Sequence, residues 1–172
     1  MHLTALCGAL VLCASFAAAQ TIPVTHVGAL DGPSITLPQE SHPKPLLILI
    51  GFSRKSSKDF SLWNQHFLPS YLSSQNFSYY ELIDMQGVPG FAKTMARHGM
   101  RRQIHGVEQA HFAPFDQDEQ LWKAAVHYSK SEDTYLVLTD AKGHVLWCVQ
   151  GAPDEAKMAG LTSALTALNS AQ

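Results

Sequence analysis

Four sets of side chains in this sequence carry groups able to do chemistry, and each reads in two ways. Cys148 is the first. A cysteine attacks through its thiolate, which forms at neutral pH when a base or cation lowers its pKa. The flanking Leu146-Trp147 and Val149-Gln150 supply neither. The plainer reading is a small apolar side chain in a strand. His98, His105, His111 and His127 form the second set. Handling a metal or haem would need several imidazoles to converge. No His-Glu-x-x-His or His-x-His spacing appears, so solvated or singly bonded histidines are expected and no metal ligand is assigned. The third set is Lys93, Arg97 and Arg101, spaced by four, with Arg102 beside them. On one unbroken helix they would make a basic stripe for an anionic partner. Gly99 predicts a break, which leaves an ordinary solvated charged face. Fourth, Arg54, Lys55 and Lys58 crowd a short polar turn. Free N–H groups at a helix start there could bind an anion or a carboxylate. No Ser-His-Asp order, phosphate-binding glycine loop or paired carboxylates stand out, and no cofactor is expected.

The elements that hold these groups follow from hydrophobic periodicity. Residues 46–52, Leu-Leu-Ile-Leu-Ile-Gly-Phe, are an unbroken apolar run. Such a run reads as a strand buried on both faces. After the turn, Phe60, Trp63, Phe67, Tyr71 and Leu72 recur at helical spacing. Ser56 or Ser57 is the expected N-cap, with Asp59 in the first turn, and Pro69 should kink or end the helix. Residues 77–84 read as a further strand, rich in aromatic and β-branched side chains. Pro89 should open a helix that ends near His98, with Gly99 just beyond it. Residues 100–113 show no clear period. Asp116 and Glu119 resemble a capping box for a short helix to about Tyr128. Residues 134–140 and 144–150 form the clearest hairpin, turned by Asp140-Ala141-Lys142-Gly143. A last helix follows Pro153, with Met158, Leu161, Leu165 and Leu168 as its apolar stripe. Before all of these, residues 25–30 and 34–37 are two short strands joined at Asp31-Gly32-Pro33.

At 172 residues, 46% hydrophobic and 15% charged, the chain suits one domain with a sizeable core. The net charge of −2 implies no nucleic-acid partner. Residues 1–19 contain no Asp, Glu, Lys or Arg; the apolar stretch from Leu3 to Phe16 leads to Ala17-Ala18-Ala19. That is the pattern of a cleaved export signal, with cleavage between Ala19 and Gln20. Retained, the same stretch would be the only membrane anchor expected. Residues 20–172 then form a single domain, with 20–45 as an N-terminal extension carrying the short hairpin. Cleavage removes Cys7 and Cys13 and leaves Cys148 alone, so neither an internal disulfide nor a dithiol pair is expected.

The order β, β, β, α, β, α, α, hairpin, α resembles the thioredoxin-like plan: a central mixed sheet flanked by helices, closed by a β-hairpin and a C-terminal helix. Leu30-Asp31-Gly32 with Ile35-Thr36-Leu37 resembles the opening hairpin of its extracytoplasmic and peroxiredoxin-type members. Residues 46–52 resemble the strand before their active turn, and residues 134–143 their closing hairpin. Within the superfamily, Phe52-Ser53-Arg54, Trp63, Tyr135-Leu136-Val137 and Trp147 are similar to the mitochondrial ATP-synthase assembly factors, a branch without redox activity. Leu146 departs from the basic residue which that branch has before the hairpin tryptophan. The resemblance implies a Cys-x-x-Cys turn for redox members, because one thiolate attacks and a second thiol resolves. In this chain those positions fall on Ser57 and Phe60, or on Ser61 and Asn64. Asp133 stands where the superfamily carries a cis-proline, and a trans bond is expected there.

These readings converge on an exported, periplasmic or secreted, redox-inactive thioredoxin-like module for binding or assembly, chaperone-like in mode. Its expected partner is a protein or a small anion, held by Arg54, Lys55, Lys58 and Trp63. One alternative is a thiol peroxidase or reductase using Cys148 as a single thiol. Another is metal or haem handling by the 98–127 region.

Overall fold

The computed structural model describes residues 20–39, 44–71, 76–106 and 108–170, with the backbone alone for 66–71. The expected leader at 1–19, the cleavage point after Ala19, and Phe67, Tyr71 and Leu72 as helix-stripe side chains lie outside what it describes. Among the described residues no helix is long and apolar enough to cross a membrane.

The centre is β3 (Leu46–Gly51), every residue of which is buried. It pairs in parallel with β4 (Ser78–Asp84) and antiparallel with β6 (Thr134–Thr139). β5 (Phe112–Phe115) extends the sheet beyond β4, and β7 (Val145–Gln150) beyond β6, giving the order β5-β4-β3-β6-β7. β1 (Thr25–Gly28) and β2 (Ser34–Leu37) form a separate antiparallel hairpin. Strand alternation splits the core into two clusters. Ile48, Ile50, Leu82, Tyr135 and Val137 face one way, under Val27 and Leu37 of the hairpin and under Trp122 and Ala125 of α4 (Glu119–Ala125). Leu47, Leu49, Tyr79, Leu136 and Leu138 face the other way. They lie under Phe60 and Trp63 of α1 (Ser57–Tyr71) and Leu161 of α5 (Glu155–Ser170).

Several boundaries depart from the pattern-based expectation, each for a local reason. α2 (Gly90–Gln103) runs straight through Gly99. Glycine inside a helix weakens it by only about 1 kcal/mol, and this helix is tied down on both sides of that point. Arg97 donates to the Pro114 carbonyl at 3.2 Å, and Arg101 to the Leu30 carbonyl at 2.9 Å. Residues 100–113 hold the end of α2, the single turn α3 (Glu108–His111) and the start of β5. β5 contains Pro114, which an edge strand tolerates because it need not donate on its outer side. α1 continues to Tyr71, past Pro69. Asp116 does not cap α4; it pairs with Lys93 at 3.0 Å, while Asp118 (φ 61°) takes the cap position. α4 ends at Ala125, short of Tyr128. The first strand stops at Gly28, before Leu30.

Candidate functional site

The turn after β3 is shaped by Gly51. A Cβ there would stand 2.5 Å from Ser56 Oγ and 2.8 Å from Phe60 Cε2. Only glycine lets the turn fold back so closely on the strand end. Residues Arg54–Ser56 form one 3-10 turn leading into α1, and Ser53 caps that turn. Ser53 Oγ accepts from Lys55 N at 3.1 Å, and the Ser53 carbonyl accepts from Ser56 N at 3.3 Å. Ser57 N bonds to the Arg54 carbonyl. Three donors of the expected anion site are therefore already engaged. Thr134 Oγ1 donates to the Ser56 carbonyl at 3.1 Å, locking the turn to β6. The peptide bond before Thr134 is trans; Leu37–Pro38 is the one cis bond among the described residues.

Arg54, Lys55 and Lys58 are exposed around this turn, and Arg54 borders the cleft beside it. Trp63 does not join them. It is 0% exposed, and its Nε1 donates to the Gly151 carbonyl at 2.8 Å. It faces the core on the inner stripe of α1, so its expected role as a surface binding residue is corrected to a packing role.

The cleft has a volume of about 1340 Å3 and lies between the first half of α1, β4 and α2. Phe60, Ile83, Met100, Ile104 and Phe112 give it apolar walls. Its floor holds Glu81, in the middle of β4 and on the same face as Tyr79 and Ile83. Glu81 is 3% exposed. Its Oε2 accepts from Asn64 Nδ2 at 3.1 Å, and Asn64 Oδ1 accepts from the Tyr79 hydroxyl at 2.9 Å. Burial pushes the Glu81 carboxyl up to about 7; the Asn64 bond opposes the rise and the Glu108 charge adds to it. Asp84, at the strand end, is also raised by burial. Glu119, on the far side, is paired with Lys123.

α2 forms the outer wall and has no buried residue. Its basic stripe points at the body of the protein: Lys93 to Asp116, Arg97 to Pro114, Arg101 to Leu30. Each of these three groups makes a contact that holds the helix, while Arg101 also stays exposed. The opposite outcome befalls Phe91 and Met95, which are 78% and 72% exposed along the same helix.

Cys148 stands apart from the cleft. It packs against the cluster on the other face of the sheet, and its Sγ lies 3.7 Å from the Val126 carbonyl. Burial pushes its thiol up to about 11. His98, His105 and His127 are exposed and dispersed. His111 Nδ1 lies 2.9 Å from the Tyr79 carbonyl, which can only accept, so that nitrogen carries the proton. Among the described residues no three His, Cys, Asp or Glu side chains converge to hold a metal ion. Glu81 escaped the sequence reading. Its signal was there: it alternates with Tyr79 and Ile83, positions that must face inward together.

The strand order, the helix after the central strand and the closing hairpin with its last helix define a thioredoxin-like α/β fold. Solved structures share it. The pneumococcal exposed lipoprotein thioredoxin of Streptococcus pneumoniae superposes with a TM-score of 0.57 at 12% identity, over 84% of this chain and 99% of that one. A solution structure assigned as a protein disulfide isomerase of Bacteroides thetaiotaomicron gives 0.57 at 13% identity, over 87% and 88%. A thiol-disulfide oxidoreductase of Bacteroides fragilis gives 0.52 at 12%, over 83% and 98%. The likeness lies in the fold. No protein-family model matches the sequence, and no curated protein matches it.

Proposed function

We propose that this chain is an exported thioredoxin-like binding or assembly module, chaperone-like in mode, that holds a protein partner in the cleft between α1 and α2 without a thiol cycle. One observation carries the reading. The turn that bears the thiols in redox members carries Ser53, Arg54, Lys55, Ser56 and Ser57 here, and it opens on a large apolar cleft. A concave, mostly apolar surface with a few polar groups suits recognition. Arg54 stands at its rim, with Lys55 and Lys58 exposed on the adjoining turn, where they can steer an approaching chain. Export rests on the 1–19 leader pattern, and one structural neighbour is itself an exposed lipoprotein.

Reduction of insulin by dithiothreitol separates this reading from its rival. A thiol reductase speeds precipitation of the reduced B chain, whereas a holding module delays it. We expect a delay that survives Cys148→Ser and is lost in Ala96→Trp, which fills the cleft from α2. Acceleration abolished by Cys148→Ser would overturn the reading in favour of single-thiol chemistry.

A further inference from the structure

Glu81 is a buried carboxylate with no cationic partner. Among the described residues no lysine or arginine bonds to it, and the charge that bears on it, Glu108, has the same sign. Lys123 is committed to Glu119, and Arg97 and Arg101 to backbone carbonyls. A carboxylate ionised in apolar surroundings gains most from a cation brought to it. It sits at the floor of an open cleft rather than in a sealed core.

The surroundings of that carboxylate specify more. At about 1340 Å3 the cleft exceeds the few hundred to roughly 1,000 Å3 of a typical small-molecule pocket. Met85, Met95 and Met100 line it, and flexible thioethers adapt to varied apolar side chains. Exposed Met95 stands at the cleft's edge, and Phe91 carries apolar surface outward along α2 beyond it. An occupant that covered both would be longer than a metabolite.

Resting on the reading of the cleft as a binding site, we propose that its occupant is a polypeptide segment presenting a lysine or arginine between apolar residues. The cation sits on Glu81, and the apolar neighbours pack on Phe60, Ile83, Met100, Ile104 and Phe112. Charge complementarity selects this occupant over an acidic or neutral segment.

The test uses the full chain and three fluorescent peptides, Leu-Leu-Lys-Leu-Leu and the same sequence with Gln or Glu at the centre, acetylated and amidated. Anisotropy at pH 7.5 should rank Lys above Gln above Glu, with about a tenfold gap between the first two. In Glu81→Gln that gap should fall below about threefold while binding of the Gln peptide holds. Ala96→Trp should weaken all three. The peptide series on the unaltered chain needs no variant, so a folding failure of Glu81→Gln does not remove the test. Equal binding of all three peptides, blocked by Ala96→Trp, overturns the cation preference and leaves the cleft as a binding site. A preference that persists in Glu81→Gln also overturns it. No binding of any peptide by the folded chain overturns both readings. Hexylammonium that displaces the Lys peptide at equal concentration overturns the polypeptide class in favour of a small amine.

Discussion

Replacing Glu81 by Gln should change how stability depends on pH. The carboxyl is raised from 4.5 to about 7 in the folded chain, mainly by burial. Between those values the folded state holds more protons than the unfolded state, so stability falls as pH rises. Below about pH 4.5 both states are protonated and the group contributes no penalty; above about pH 7 the loss is complete. A shift of about 2.5 units corresponds to about 3 kcal/mol at 1.36 kcal/mol per unit. The Glu81→Gln side chain stays neutral and can still accept from Asn64 Nδ2. At pH 8 the variant should therefore be the more stable chain, by up to about 3 kcal/mol, with the two chains within about 1 kcal/mol at pH 4.5. For a domain of this size that is roughly 6–12 °C in Tm at pH 8. Urea unfolding followed by circular dichroism at half-unit pH steps reads the difference directly. Taking the difference between chains cancels the opposite contribution of Asp140, whose pKa is lowered and whose stabilisation is lost only in acid. A difference that stays flat from pH 4.5 to 8 would mean that burial does not raise the Glu81 carboxyl.

Three further outcomes follow from the geometry. Gly51→Ala should destabilise the chain by about 2–3 kcal/mol, because the new Cβ meets Ser56 and Phe60 inside van der Waals range; chemical unfolding checks it. Trp63→Phe should lose about 2–3 kcal/mol, through a smaller side chain in the core and an unpaired Gly151 carbonyl, measured the same way. Cys148, raised from 9.0 to about 11, should react with a thiol probe at pH 8 about a hundredfold more slowly in the native chain than after unfolding. Fast native labelling would restore the single-thiol enzyme as a live reading.

Much of the architecture was legible because its signals are local. The uninterrupted apolar run at 46–51 could only be a strand buried on both faces. The hairpin was marked by Gly143, which takes φ 87° at the turn. The α5 stripe obeyed helical periodicity, with Leu161 at its buried centre. What sequence patterns did not reach were features decided by tertiary partners. α2 outlasts Gly99 because Arg97 and Arg101 bond to distant carbonyls. β5 exists because β4 offers it an edge, despite Pro114. Trp63 and Glu81 exchanged roles for the same reason. An aromatic near a polar turn invites a surface role and an acid invites a solvated one, yet helix phase buries the first and strand alternation buries the second. The turn cations Arg54, Lys55 and Lys58 stand out in the sequence; the cleft that Arg54 borders needed the third dimension.

Partner binding in the cleft between α1 and α2 has a direct physical readout. Amide hydrogen exchange, measured on the full chain with and without reduced, carboxymethylated α-lactalbumin, tests it most directly. α2 has no buried residue, so its amides should exchange readily in the free chain. Binding in the cleft should slow exchange in segments 54–65 and 90–104 on adding the unfolded client. Exchange unchanged in both segments, or protection confined to the β1–β2 hairpin and α4 on the other face of the sheet, would contradict it.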